Sequence, residues 1–159
     1  MDNTVSVTRE ITAPADQVWA MVSDLTRMGE WSPENQGAEW SSAADGPVPG
    51  AKFSGSNQNG GKRWTTVGVV RDAEPGRRFS FRITAIGLKV ADWSYDFEPT
   101  ATGCRVTESC TDLRPGWFKP IAKLATGVAD RHSHNRAGME QTLERLAAAA
   151  EAQVAEDRG

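Results

Sequence analysis

The chain is 159 residues long with a formal net charge of −3, a length that fits one domain burying roughly 68–70% of its unfolded surface. Its basic residues are scattered in pairs such as Lys62-Arg63 and Arg77-Arg78, so no basic footprint marks nucleic acid as a partner. The opening MDNTVSVTRE carries neither a basic nor an apolar signal region, and no apolar run approaches the length of a membrane span; the expectation is a cytoplasmic monomer or homodimer without stable membrane insertion.

Residues 4–12, TVSVTREIT, alternate in polarity and stop before Pro14, a residue favoured at the first helical position. A strand followed by a helix is expected there. Val18, Trp19 and Val22 then recur at helical spacing, and 25–28 can form a second short turn before Trp31-Ser32-Pro33 stops it. The segment Met28 to Asn35 mixes an aromatic with polar side chains. It reads either as the mouth of a pocket or as a core plug, Trp31, beside a solvated Glu34.

Between 36 and 111 the period changes to two, with turn signals at Asp45-Gly46-Pro47, Asn59-Gly60-Gly61, Glu74-Pro75-Gly76, Ile86-Gly87 and Thr102-Gly103. This predicts an antiparallel meander of five or six strands. Phe79, Phe81, Ile83 and Ala85 share one face, as do Ala91, Trp93, Tyr95 and Phe97. In the last strand the same parity groups Cys104, Val106, Glu108 and Cys110, which aims a carboxylate inward. The two cysteines, six residues apart on one strand, lie roughly 20 Å from each other and cannot bridge. They are expected to be small buried residues.

After Arg114-Pro115-Gly116 a helical period runs to about residue 152, with Gly127 and Gly138 as weak points and 153–159 as a fraying tail, so the domain is placed at 1–152. Leu124, Val128, Met139, Leu143 and Leu146 fall on one face, and Lys123, Asp130, Glu140, Gln141, Glu144 and Glu151 on the other. Arg131, His132 and Asn135 interrupt the apolar stripe, where buried polar groups require partners. The interruption points to an internal cavity and a small-molecule ligand. A sheet and a helix, each with one apolar side, satisfy each other by packing, which gives an α+β fold with the helix laid across a curved antiparallel sheet.

That element order, with ITAPADQVWAMVSDLTRMGEWSPE at 11–34, FEPTATGCRVTES at 97–109 and TGVADRHSHNRAGMEQTLERL at 126–146, resembles the helix-grip fold of the START-related (SRPBCC) superfamily, in its bacterial polyketide cyclase/dehydrase-like branch. The resemblance covers nearly the whole chain. It implies a deep cavity between sheet and helix for hydrophobic or amphipathic ligands, lipid or polyketide-like, with cyclase or dehydratase activity in some relatives.

Three groups of side chains carry the candidate chemistry. Arg131, Asn135 and Glu108 point to the sheet–helix interface, where they are either a clamp for a ligand's polar head or a structural ion pair. Trp31, Trp64, Phe81, Trp93, Tyr95, Phe97 and Met139 are candidate cavity walls. Glu108, His132 and Tyr95 are the candidate proton-transfer groups; His132, at the stripe edge, equally suits a packing role. His132 and His134 lie about 200° apart on a helix and do not form a metal pair, and neither a zinc, a nucleotide nor a nucleophile-elbow motif occurs. The sequence therefore predicts a carrier or sensor of a hydrophobic or amphipathic small molecule that uses no metal and no cofactor. The alternative is a cofactor-free polyketide cyclase or dehydratase.

Overall fold

A computed structural model describes residues 3–41 and 46–158. Seven strands, β1 (Thr4–Ile11), β2 (Asn35–Trp40), β3 (Lys52–Asn59), β4 (Lys62–Glu74), β5 (Arg78–Ala85), β6 (Leu88–Pro99) and β7 (Cys104–Asp112), form one sheet in the order β1-β7-β6-β5-β4-β3-β2. Every pairing is antiparallel. Six strands make up the meander, and β1 returns to pair with β7 at the far edge. The crossing between the two edges is made by α1 (Ala15–Ser23) and a 3-10 turn (Leu25–Glu30). The architecture is the expected α+β helix-grip arrangement, a curved sheet with a long C-terminal helix.

Four hairpin loops sit on the predicted turn residues. Gly60 and Gly76 adopt φ of 58° and 72° at the β3–β4 and β4–β5 turns, and Ile86-Gly87 forms the two-residue β5–β6 loop with φ of 47° and 78°. The Asp45 part of the Asp45-Gly46-Pro47 turn lies outside the described residues.

The inner face follows the predicted parity, with Phe79, Phe81, Tyr95, Phe97, Cys104, Val106, Glu108 and Cys110 all buried. Aromatic rings run through it in contact from Trp40 to Phe53, Phe81, Phe79 and Trp19, with centroids 5.9, 5.5, 5.8 and 6.3 Å apart along the series. The opposite face is polar. Arg82 bonds Asp92 and Arg78 bonds Asp96, each at 2.7 Å, while hydroxyl pairs Thr4–Thr111, Ser6–Ser109 and Thr8–Thr107 bridge β1 to β7.

The single C-terminal helix expected from the period is two helices. α2 (Lys119–Thr126), preceded by a 3-10 turn at Gly116–Phe118, ends at Gly127, whose φ of 74° is the left-handed closure that glycine favours and whose N–H donates to Lys123 O at 2.8 Å. The chain restarts as α3 (Arg131–Arg158) behind Asp130, whose carboxylate accepts from Ser133 N–H at 3.1 Å. Because α2 turns independently of α3, Leu124 leaves the predicted stripe and is 75% exposed. Met139, Leu143 and Leu146 hold the stripe on α3, and Val128 is buried in the link between the two helices. Gly138 stays helical, and α3 continues past residue 152 to Arg158, on a run of strong helix formers, AAAAEAQVAEDR.

Candidate functional site

Along α3, Arg131, His134, Asn135, Gly138, Met139 and Thr142 succeed one another at helical spacing and face the sheet across a cavity of about 370 Å³. Below Thr142 the same side of the helix becomes fully apolar: Leu143, Leu146, Ala147 and Ala150 close onto the core beneath Phe79 and Phe97. Polar and apolar sections of one stripe thus serve different tasks. The upper turns face open space and the lower turns pack.

The sheet supplies the other wall through Phe53, Trp64, Phe81, Ile83, Trp93 and Tyr95. The 3-10 turn contributes Met28, the link after it Ser32, Pro33 and Glu34, and the start of β2 Asn35, so this stretch borders the cavity. Of the predicted wall residues, Trp64, Phe81, Trp93, Tyr95 and Met139 line the space. Trp31 and Phe97 do not; both are core residues, 2% and 5% exposed, Trp31 lying under the Arg27 guanidinium at 5.0 Å.

The polar groups divide into two sets. At one end, Tyr95 Oη donates to Glu108 Oε1 at 2.8 Å, within a fully buried pair on adjacent strands. Glu108 is 2% exposed, and its Oε2 has no hydrogen-bond partner among the described residues. Burial raises the Glu108 carboxyl from 4.5 to about 8, the Tyr95 hydrogen bond opposing the shift. Burial, and then the neighbouring Glu108, push the Tyr95 phenol well above its ordinary value. Cys110, two residues along β7, is pushed up to about 12, chiefly by burial and next by Asp112.

The second set replaces the predicted Arg131–Glu108 contact. Arg131 Nη1 lies 2.9 Å from both carboxylate oxygens of Glu34, and His134 Nε2 reaches the same carboxylate at 2.8 Å. The Arg131 guanidinium stands 5.9 Å from the Trp64 ring centroid. Asn135 gives its amide to Cys110 Sγ at 3.6 Å and accepts from Arg131 at 3.5 Å, so it is committed on both sides. The expected Arg131–Glu108 ion pair does not form: the arginine is held by a carboxylate 97 residues away in sequence, and Glu108 by Tyr95, while Arg131, Asn135 and Glu108 all border the cavity.

His132 is exposed on the outer side of α3 and does not border the cavity, because the helix starts at Arg131 and directs His134 inward instead. Of the three predicted proton-transfer candidates, Glu108 and Tyr95 border the cavity. Glu34 and His134 are the residues that sequence reasoning misses, although the mixed composition of the loop containing Glu34 marks that loop. Among the described residues, no group of three or more His, Cys, Asp or Glu is placed to hold a metal ion. Cys104 and Cys110 are free and buried. No helix among the described residues is long and apolar enough to cross a membrane.

A family model described as polyketide cyclase / dehydrase and lipid transport matches residues 2–151. No curated protein matches the chain. Among solved structures, the polyketide-cyclase-like protein Cgl2372 from Corynebacterium glutamicum is 31% identical, with a TM-score of 0.66 over 97% of this chain and 94% of that one. Protein CV1439 from Chromobacterium violaceum, at 17% identity, covers 94% of this chain and 98% of its own with a TM-score of 0.71. The di-domain ARO/CYC StfQ from the steffimycin biosynthetic pathway superposes with a TM-score of 0.74 at 18% identity. This chain covers 96% of itself but 52% of StfQ, about half of the larger protein. At such identities the last two comparisons carry the fold.

Proposed function

The chain belongs to the polyketide cyclase / dehydrase and lipid transport family, and from that premise we propose that it binds a hydrophobic or amphipathic small molecule under α3, as a carrier or sensor. The carrying observation is the cavity of about 370 Å³ walled by Phe53, Phe81, Trp93 and Met139, with its polar groups gathered into two small sets. That composition matches sites that hold an apolar body and orient it through a few polar contacts, which typically enclose roughly 300–1,000 Å³. Titration with the uncharged dye N-phenyl-1-naphthylamine and with a medium-chain fatty alcohol tests it. Saturable one-to-one binding is expected, with a melting temperature that rises with ligand, by about 2.7 kcal/mol of stabilisation at a hundredfold excess over Kd. Absence of saturable binding by either ligand overturns the reading.

The Tyr95–Glu108 pair favours a second reading, a cyclodehydration of a polyketide-like chain. Such a step moves a proton from carbon to a ketone oxygen as the carbon bonds to that carbonyl carbon and closes the ring; a second carbon proton and the resulting hydroxyl then leave as water, forming a double bond, so it balances without a redox partner. A carboxyl titrating at about 8 beside the cavity suits both halves of that exchange. In this reading Glu108→Gln abolishes turnover of a reactive poly-β-ketone while leaving its binding nearly intact. Normal turnover by the folded variant removes Glu108 from the chemistry.

A further inference from the structure

Glu108 is the one buried side-chain group among the described residues left with an unbonded oxygen. An unpartnered buried carboxyl oxygen is destabilising, and native chains rarely retain one without a use. The obvious internal partners are already committed: the Tyr95 hydroxyl donates to Oε1, the Asn135 amide to Cys110, and Arg131 to Glu34. The titratable groups that bear on Glu108 are Tyr95 from β6 and Cys110 along β7, and Asp112 and Arg131 act in turn on Cys110; β1 places Val7 opposite Glu108. Asp112 is itself clamped by Arg114 at 2.8 Å. Nothing in this set neutralises a carboxylate at Glu108. The cavity wall includes Glu108 itself.

Resting on the small-molecule reading above, we propose that Glu108 is a neutral hydrogen-bond donor that selects ligands carrying an uncharged oxygen acceptor, a ketone, enone or ester carbonyl, at their buried end. Tyr95 fixes the carboxyl by donating to Oε1, which leaves the acid proton on Oε2, directed at the ligand. The raised titration of Glu108, driven by burial, keeps that proton in place at neutral pH. A hydrocarbon in the same position strands the acid, and a carboxylate-headed ligand placed there meets a low-dielectric pocket with no countercharge. The site therefore reads the polarity of the buried end, while the aromatic walls read shape.

Two matched probes test this: 6-propionyl-2-dimethylaminonaphthalene, whose emission moves to the red when its carbonyl accepts a hydrogen bond, and its 6-propyl counterpart without the carbonyl. The wild-type chain is expected to bind the ketone about tenfold more tightly, on the order of 1.4 kcal/mol, with red-shifted emission. Glu108→Met removes the preference and the shift while retaining both probes. Glu108→Gln keeps the preference, since the carboxamide oxygen still accepts from Tyr95 and its N–H donates to the ketone. Above a pH of about 8 the wild type loses the preference and the Gln variant does not. Equal binding of both probes by wild type, or a ketone preference that survives Glu108→Met, overturns the proposal and leaves cavity binding intact. Binding of neither probe overturns the cavity reading itself. Should Glu108→Met fail to fold, the pH dependence of wild type against Glu108→Gln decides alone: identical profiles overturn the proposal.

Discussion

Arg131 illustrates how far a single side chain is set by partners distant in sequence. Its position on α3 comes from helical spacing, and that spacing correctly turns it toward the sheet. Which carboxylate it meets depends on the loop before β2, which brings Glu34 within 2.9 Å and leaves Arg131 and Glu34 only 15% and 25% exposed. A partly buried pair with His134 on the same carboxylate should couple energetically. A double-mutant cycle of Arg131→Met with Glu34→Gln, read by chemical denaturation, is expected to give a coupling of about 1–2 kcal/mol. Arg131→Met with Glu108→Gln should be additive within roughly 0.5 kcal/mol. Comparable coupling in the two cycles would contradict the observed pairing. Glu34 is hidden from sequence reasoning for a physical reason: an acidic residue in a turn is ordinarily solvated, and nothing local marks one that will receive an arginine across the fold.

At the scale of the element, the β5–β6 hairpin carries a conflict between its turn and its residue. A two-residue loop with both φ positive suits Asn-Gly or Asp-Gly, yet a β-branched Ile86 holds φ 47° and is 81% exposed. A non-glycine residue in that region costs roughly 1–2 kcal/mol, and Ile86 recovers little by burial. Ile86→Asn is therefore expected to stabilise the fold by about 1 kcal/mol and raise Tm by about 2–4 °C; a lower Tm would show that Ile86 contributes packing at the cavity rim. The hairpin is legible in the sequence because Ile86-Gly87 interrupts two alternating runs, and the inner faces of β5, β6 and β7 are legible because strand parity needs no tertiary information. The helix break is not. Gly127 and Gly138 look equivalent by propensity. Their surroundings separate them: after Gly127, Asp130 stands three residues before a Ser133 that bonds it, which starts a new helix, whereas Gly138 lies where α3 passes Pro33 and a β-carbon would sit 3.6 Å from its ring. With α2 detached, Leu124 and Trp117 face outward, 75% and 64% exposed, which the patterning of a single helix does not anticipate.

For the molecule as a whole, the candidate site is bound into global stability, because Glu108 sits inside the closed sheet–helix interface rather than on a separable loop. Its carboxyl titrates at about 8 in the folded chain against an ordinary 4.5, so the native state holds the proton more tightly than the unfolded one. The contribution to stability is then fully present below 4.5 and declines as pH rises through the interval up to about 8. Within that interval the slope is on the order of 1 kcal/mol per pH unit, and beyond it the loss is constant. Glu108→Gln keeps the shape and the Tyr95 contact and cannot ionise. Guanidinium denaturation of both proteins across pH values from about 4 to 9 should show the variant gaining on wild type between 4.5 and 8, with a constant difference on either side. Parallel curves throughout would mean that Glu108 is either solvated or matched by a countercharge in the folded chain. That result would remove the neutral donor from the cavity while leaving the apolar walls, and the fold that positions them, unaffected.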